Sequence, residues 1–142
     1  MPTRNASATW EGGLQGGKGS FQGESGVISG AYSFGSRFGD QGGTNPEELL
    51  AAAEAACFSM ALSVGLENNG TTATRVHTDA ACTVAKVGEG FKITTMHLRV
   101  RATVPGLDDA TFQTIAEGTK KGCPVSQALA GVDITMEATL ES

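Results

Sequence analysis

At 142 residues and 39% hydrophobic content, the chain has the size of one domain, spanning residues 1–142, with a real but modest core. Its formal net charge of −5, with only 10 Lys and Arg spread thinly, excludes the basic patch that a nucleic acid or an anionic membrane surface requires. Three cysteines do not make the even-numbered disulfide framework of a small secreted chain, so at least one thiol is free.

Residues Met1 to Trp10 lack the basic start and apolar core of a signal peptide, and a cytoplasmic address is expected. From Ala6 to Val27, short β-compatible runs alternate with Gly12-Gly13 and Gly16-Gly17, the pattern of small antiparallel hairpins. No GxxxxGK[ST] or strand-linked GxGxxG occurs among these glycines, so they read as turns rather than a phosphate cradle.

The sharpest boundary is Thr44-Asn45-Pro46-Glu47-Glu48. Asn45 is placed to cap orphan amides, Pro46 fits the first helical position, and the two glutamates suit the positive end of the helix dipole. A long helix is predicted from here to the stop at Asn68-Asn69-Gly70, with Leu50, Ala53, Cys57, Met60 and Val64 forming its apolar stripe. Its Leu49–Leu66 stretch, interrupted by Glu54 and diluted by alanine, is read as a buried soluble helix, short of the ~20 predominantly apolar residues that span a bilayer. Its many alanines would let another backbone come close, a hint of a dimer built around this helix.

Thr71 to Val87 and Phe91 to Val104 are rich in Thr, Val and Ile and flank Gly88-Glu89-Gly90, which predicts a long hairpin. Asp108 to Lys121 has acidic residues at its start, lysines in its last turn and Gly122 beyond, the marks of a helix. A short helix from Pro124 to Leu129 and an alternating strand from Val132 to Leu140 close the chain. The order β-β-β-α-β-β-α-α-β implies an α+β fold with helices against antiparallel sheet.

Cys57 lies on the apolar stripe of the long helix, where a buried Cys often serves as a small hydrophobe. Cys123 sits between Gly122 and Pro124, at a helix N-terminus, a setting that lowers a thiol pKa. Local physics alone therefore selects Cys123 as the nucleophile. Cys82 falls mid-strand and reads as core filler. No CxxC, HExxH or Gly-x-Ser-x-Gly occurs, and His77 and His97 read as ordinary strand residues, so neither a metal centre nor a hydrolase is indicated.

The run Gly43-Thr44-Asn45-Pro46-Glu47-Glu48-Leu49-Leu50, leading to Ala55-Ala56-Cys57-Phe58-Ser59-Met60-Ala61-Leu62 and joined to Gly122-Cys123-Pro124-Val125-Ser126, closely resembles the OsmC/Ohr family of osmotically inducible and organic hydroperoxide resistance proteins. The likeness extends to Trp10-Glu11-Gly12, Gly17-Lys18-Gly19, Glu24-Ser25-Gly26-Val27 and Arg37-Phe38, and it is nearer to the OsmC branch. It implies antiparallel sheets packed around a long central helix in an intertwined homodimer. It implies a thiol-dependent peroxidase in which Cys57 attacks the peroxide and Cys123 condenses with the resulting sulfenate to a disulfide. An external dithiol, of lipoyl type, reopens that bond, and no bound cofactor or metal is needed.

This reverses the local ranking of the cysteines and makes a physical demand. A mid-helix thiol on an apolar face has a raised pKa and needs a cation beside it. The resemblance supplies Arg37, with Glu47 holding its guanidinium in a two-pronged ion pair. Lys18 stands in a glycine-rich stretch where some members carry arginine. If Glu47 and Cys57 share one helix, their ten-residue spacing is ~15 Å along the axis, too far for one arginine head to touch both, and a second copy is expected to contribute to each Cys57 site. Phe34, Phe38, Phe58 and Met60 surround these positions in sequence, as an apolar funnel for an alkyl hydroperoxide or as core packing. The other reading of the cysteine pair is a redox sensor or stress-induced ligand-binding protein without substantial turnover.

Overall fold

The computed structural model describes residues 1–141 and divides into two compact units, Met1–Leu49 and the chain from Leu50 onward. In the first, β1 (Ala6–Glu11), β2 (Lys18–Gly23) and β3 (Ser29–Tyr32) form an antiparallel sheet in that order, as the glycine-punctuated runs predict. Trp10 faces Gly19 across β1 and β2, and Gly19 faces Tyr32 across β2 and β3. A Cβ at Gly19 would come within 2.6–2.7 Å of the Tyr32 and Trp10 rings, so this residue must be glycine for the two aromatics to pack 5.5 Å apart.

A short helix, α1 (Phe34–Phe38), follows β3 and was not expected from the sequence. Five residues carry no readable period, but a reciprocal capping box holds it: the Ser36 amide donates to Ser33 Oγ at 3.1 Å, and the Ser33 amide donates to Ser36 Oγ at 2.8 Å.

The long helix α2 runs Pro46–Asn68, and its predicted cap is in place, with the Glu48 amide donating to Asn45 Oδ1 at 2.8 Å. Two expectations about it are corrected. Its buried stripe is Glu54, Phe58, Leu62 and Leu66, all fully buried, whereas Met60 is 73% and Val64 46% exposed and Ala53 is also exposed. It is also long and apolar enough, by length and composition, to cross a membrane. Both errors have one cause. The helix is apolar nearly all round, so periodicity does not select its inner face, and its alanines raise its overall hydropathy.

In the second unit, β4 (Arg75–Val87) and β5 (Gly90–Thr103) form the predicted antiparallel hairpin, turned at Gly88 with φ +63° and bulged between Thr83 and Val84. Two helices follow, α3 (Asp109–Gly122), capped by Asp108, and α4 (Pro124–Ala128). The last strand, β6 (Asp133–Glu141), pairs with β5 in parallel, which corrects the expectation of wholly antiparallel sheets. A parallel neighbour needs a crossover rather than a hairpin, and α3 and α4 supply it.

The core lies between one sheet face and the helices. Met96, Leu98, Val100 and Ala102 of β5 pack with Phe58, Leu62 and Leu66 of α2 and with Phe112 and Ala116 of α3. The alternate residues of β5 face outward, where Arg99 pairs with Glu137 at 3.2 Å and Arg101 with Asp79 at 3.8 Å. A hydroxyl contact, Ser59 Oγ donating to Thr78 Oγ1 at 2.8 Å, joins α2 to β4.

Candidate active site

The predicted site residues fall into two groups, one in each unit. In the first unit, α1 carries Arg37 in its last turn, and Glu47 stands in the first turn of α2. Asn45 ties these elements together, because its Oδ1 caps α2 while its Nδ2 donates to the Ser36 carbonyl at 3.0 Å. Arg37 Nε donates to Glu47 Oε1 at 3.1 Å and to Oε2 at 3.2 Å, while Nη2 donates to Oε1 at 2.9 Å. Glu47 is only 5% exposed, so this ion pair is better shielded than an ordinary surface bridge and holds the guanidinium in one orientation.

The guanidinium carbon also lies 5.1 Å from the centre of the Phe38 ring, and Phe38 packs 5.3 Å from Phe34. Arg37 and both phenylalanines line a cavity of about 270 Å³ with Trp10, Leu14, Tyr32 and Ser33. Thus Phe34 and Phe38 do form an apolar wall beside a fixed cation. Phe58 and Met60 belong to the second unit, where Phe58 is fully buried in the core and Met60 stands out from α2 at 73% exposure. Lys18 is exposed at the start of β2.

In the second unit, Cys57 and Cys123, 66 residues apart in sequence, meet with Cys123 Sγ donating to Cys57 Sγ at 2.8 Å. The three cysteines carry no disulfide. A disulfide bond is about 2.05 Å long, so closing one here needs under an ångström of sulfur movement. Cys123 is held at the junction of α3 and α4, its amide donating to the Thr119 carbonyl and its carbonyl accepting from the Gln127 amide. It is 1% exposed, while Cys57 is half-buried and the more open of the two.

Burial pushes the Cys57 thiol pKa up, and the contact with Cys123 and the charges of Cys123 and Glu54 push it further. The Val125 amide, in the first turn of α4, pulls the other way without reversing the shift. Within this unit Cys57 thus has the raised pKa expected of a mid-helix thiol on an apolar face.

Sequence reasoning missed a buried polar pair, Glu54 and Ser126, each three residues from one of the two cysteines. Glu54 is fully buried, its Oε1 accepts a hydrogen bond from Ser126 Oγ at 2.5 Å, and its Oε2 is buried with no hydrogen-bond partner among the described residues. An acidic residue three positions before Cys57, within the mainly apolar stretch Leu49–Leu66, was the available signal. It weighed only against a membrane span.

Cys82 packs against the core from β4. His77 contacts Asp79 at 3.1 Å, and His97 contacts Thr135 at 2.6 Å, so both histidines are engaged on the charged face of the β4-β5-β6 sheet. Among the described residues no three His, Cys, Asp or Glu side chains gather as a metal site would require.

Comparison with known proteins adds to this geometry. A family model described as OsmC-like protein matches residues 39–137. The chain is 46% identical over 140 residues to the peroxiredoxin OsmC of Escherichia coli strain K12, covering 98% of this chain and 97% of that one. It is 35% identical over 96 residues, 66% of each chain, to the organic hydroperoxide resistance protein of Xanthomonas axonopodis pv. citri strain 306. The crystal structure of the organic hydroperoxide resistance protein OhrB of Bacillus subtilis superposes with a TM-score of 0.70 at 26% identity, covering 95% of this chain and 98% of that one.

Proposed function

The chain belongs to the OsmC-like protein family, nearer its OsmC branch, and is a peroxidase, and on that premise we propose a two-cysteine cycle run by Cys57 and Cys123. The observation that carries it is the 2.8 Å contact between the two thiols. Its substrates are organic hydroperoxides and, more weakly, hydrogen peroxide. Cys57 thiolate attacks one peroxide oxygen, an S–O bond forms as the O–O bond breaks, and the alcohol leaves with a proton. The Cys57 sulfenic acid then condenses with the Cys123 thiol, releasing water and leaving a disulfide. An external dithiol, of the lipoyl type that the resemblance implies, attacks that disulfide and restores both thiols. The exposures of the two sulfurs support these roles, since a peroxide reaches the half-buried Cys57 more readily than the closed-in Cys123. The setting is cytoplasmic stress defence.

Cys123→Ser tests the division of labour. One equivalent of peroxide should still be consumed, leaving a Cys57 sulfenate that a dimedone probe traps, while cycling with a dithiol collapses. Normal cycling by this variant would remove Cys123 from the resolving role.

The working form is a homodimer. Ala53, Ala56, Met60 and Val64 make an exposed stripe of small and apolar side chains on α2, and a helix that is apolar all round is ordinarily covered on every side. A second copy covers that stripe, and its Arg37–Glu47 pair provides the cation that Cys57 needs. Met60→Glu should halve the sedimenting mass and sharply reduce turnover together. A fully active monomer would contradict this assembly.

A further inference from the structure

The two-cysteine cycle leaves one group beside the sulfurs without a task, and that group is Glu54. Its carboxylate is fully buried on α2, three residues and so nearly one turn before Cys57, on the same side of the helix. Ser126, whose hydroxyl binds Oε1 at 2.5 Å, is three residues past Cys123. The Glu54–Ser126 bond therefore joins the same two segments that the Cys57–Cys123 contact joins, about one turn away.

A carboxylate oxygen with no partner is costly to bury, and an aliphatic side chain of similar size would avoid that cost. Oε2 is such an oxygen. Because Glu54 is fully buried, Oε2 is also an unpaired acceptor that solvent scarcely reaches. Disulfide closure needs an acceptor there. Cys123 must lose its proton as its sulfur attacks, and the oxygen on Cys57 must gain one to leave as water. Glu54 lies near enough to Cys57 for its charge to raise that thiol's pKa.

We propose that Glu54 carries the proton of disulfide closure, taking it from Cys123 Sγ on Oε2 and delivering it to the oxygen departing from Cys57. In this step an electron pair from Cys123 sulfur forms the S–S bond, and the S–O bond breaks with its pair on oxygen. Cys123 sulfur is oxidised, Cys57 sulfur is reduced, and the hydroxyl leaves as water with the transferred proton. Glu54 ends as it began. The role rests on the two-cysteine cycle proposed above, and Ser126 positions the carboxylate by holding Oε1.

The test is a single-turnover measurement on the full-length protein mixed with one equivalent of an alkyl hydroperoxide. Dimedone trapping follows the sulfenate, and intact mass follows the disulfide. Glu54→Gln should form sulfenate no more slowly than wild type but close the disulfide about a hundredfold more slowly, the scale of a lost proton-transfer group. Ser126→Ala keeps the carboxylate but frees Oε1, so it should slow closure by less than Glu54→Gln does, while Glu54→Asp, which keeps a carboxylate, should recover part of the rate. Wild-type closure should also run slower in D2O than in H2O, a readout that requires no variant. Equal closure rates in wild type and Glu54→Gln would overturn the role, as would equal wild-type rates in the two solvents. Equal slowing by Ser126→Ala and Glu54→Gln would overturn it too, by showing that only the clasp matters. A wild type that forms no Cys57 sulfenate would overturn the cycle itself; sulfenate that forms and closes equally fast in both proteins overturns only the part given to Glu54.

Discussion

Cys57→Ser abolishes dithiol-dependent turnover of an alkyl hydroperoxide, with a loss of roughly four orders of magnitude or more, as removal of an attacking nucleophile does. A serine hydroxyl does not ionise near neutral pH and forms no sulfenate equivalent, so no partial cycle survives. The substitution is mild for the fold. Cys57 is half-buried and outside the main core cluster, and placing a hydroxyl there costs on the order of 1 kcal/mol. A cooperative thermal unfolding curve with its midpoint shifted by a few degrees at most would accompany the lost activity. Cys82→Ser is the matching control, since Cys82 packs against the core from β4 and the proposed cycle does not use it.

Arg37→Ala should have the next largest effect, and it should be specific to the first chemical step. Burial raises the Cys57 thiol above its ordinary range, with the Cys123 contact and the Glu54 charge adding to it. Left alone, then, Cys57 is a thiol at neutral pH. A guanidinium brought beside the sulfur reverses that balance, and its removal should slow sulfenate formation at neutral pH about 10- to 1000-fold, the range a neighbouring opposite charge commands. The sign of the pH dependence follows. In Arg37→Ala the rate of sulfenate formation climbs as pH rises, because only the thiolate reacts, whereas wild type is already largely active at neutral pH. Arg37→Lys restores charge but not the Nε and Nη2 contacts with Glu47, and it should recover only part of the rate. Stopped-flow measurement across pH distinguishes these outcomes. An Arg37→Ala profile that overlies wild type would mean another cation activates Cys57, and exposed Lys18 would be the next to replace.

Much of the architecture was legible where local chemistry is decisive. Asn45, Pro46 and the two glutamates mark the start of α2 because a helix end has unpaired amides to satisfy, and Asp108 does the same for α3. Glycine at the β4-β5 turn and alternation along β6 were equally readable. What could not be read was decided by tertiary packing. The inward face of α2 is chosen by β5 and α3, since its own sequence is apolar on every side and offers no preference. The parallel pairing of β6 depends on where the chain lands after α3 and α4, which no strand sequence encodes.

The site divides in the same way. Helix-end physics singled out Cys123, and only the family resemblance turned attention to Cys57; the contact between them is a long-range fact that neither local sequence contains. Glu54 looked like a stray charge because its meaning comes from Ser126, 72 residues away. Phe34 and Phe38 line a cavity with Arg37 because α1, too short to have a period, places all three on one short helix.

The most direct test of the two-cysteine cycle is peptide mapping by mass spectrometry after fully reduced protein receives one equivalent of an alkyl hydroperoxide without any reductant. The account predicts one peroxide consumed per chain and a new disulfide joining the Cys57 and Cys123 peptides, with Cys82 still a thiol. Peroxide left unconsumed, or a disulfide that involves Cys82 in place of either partner, would contradict it.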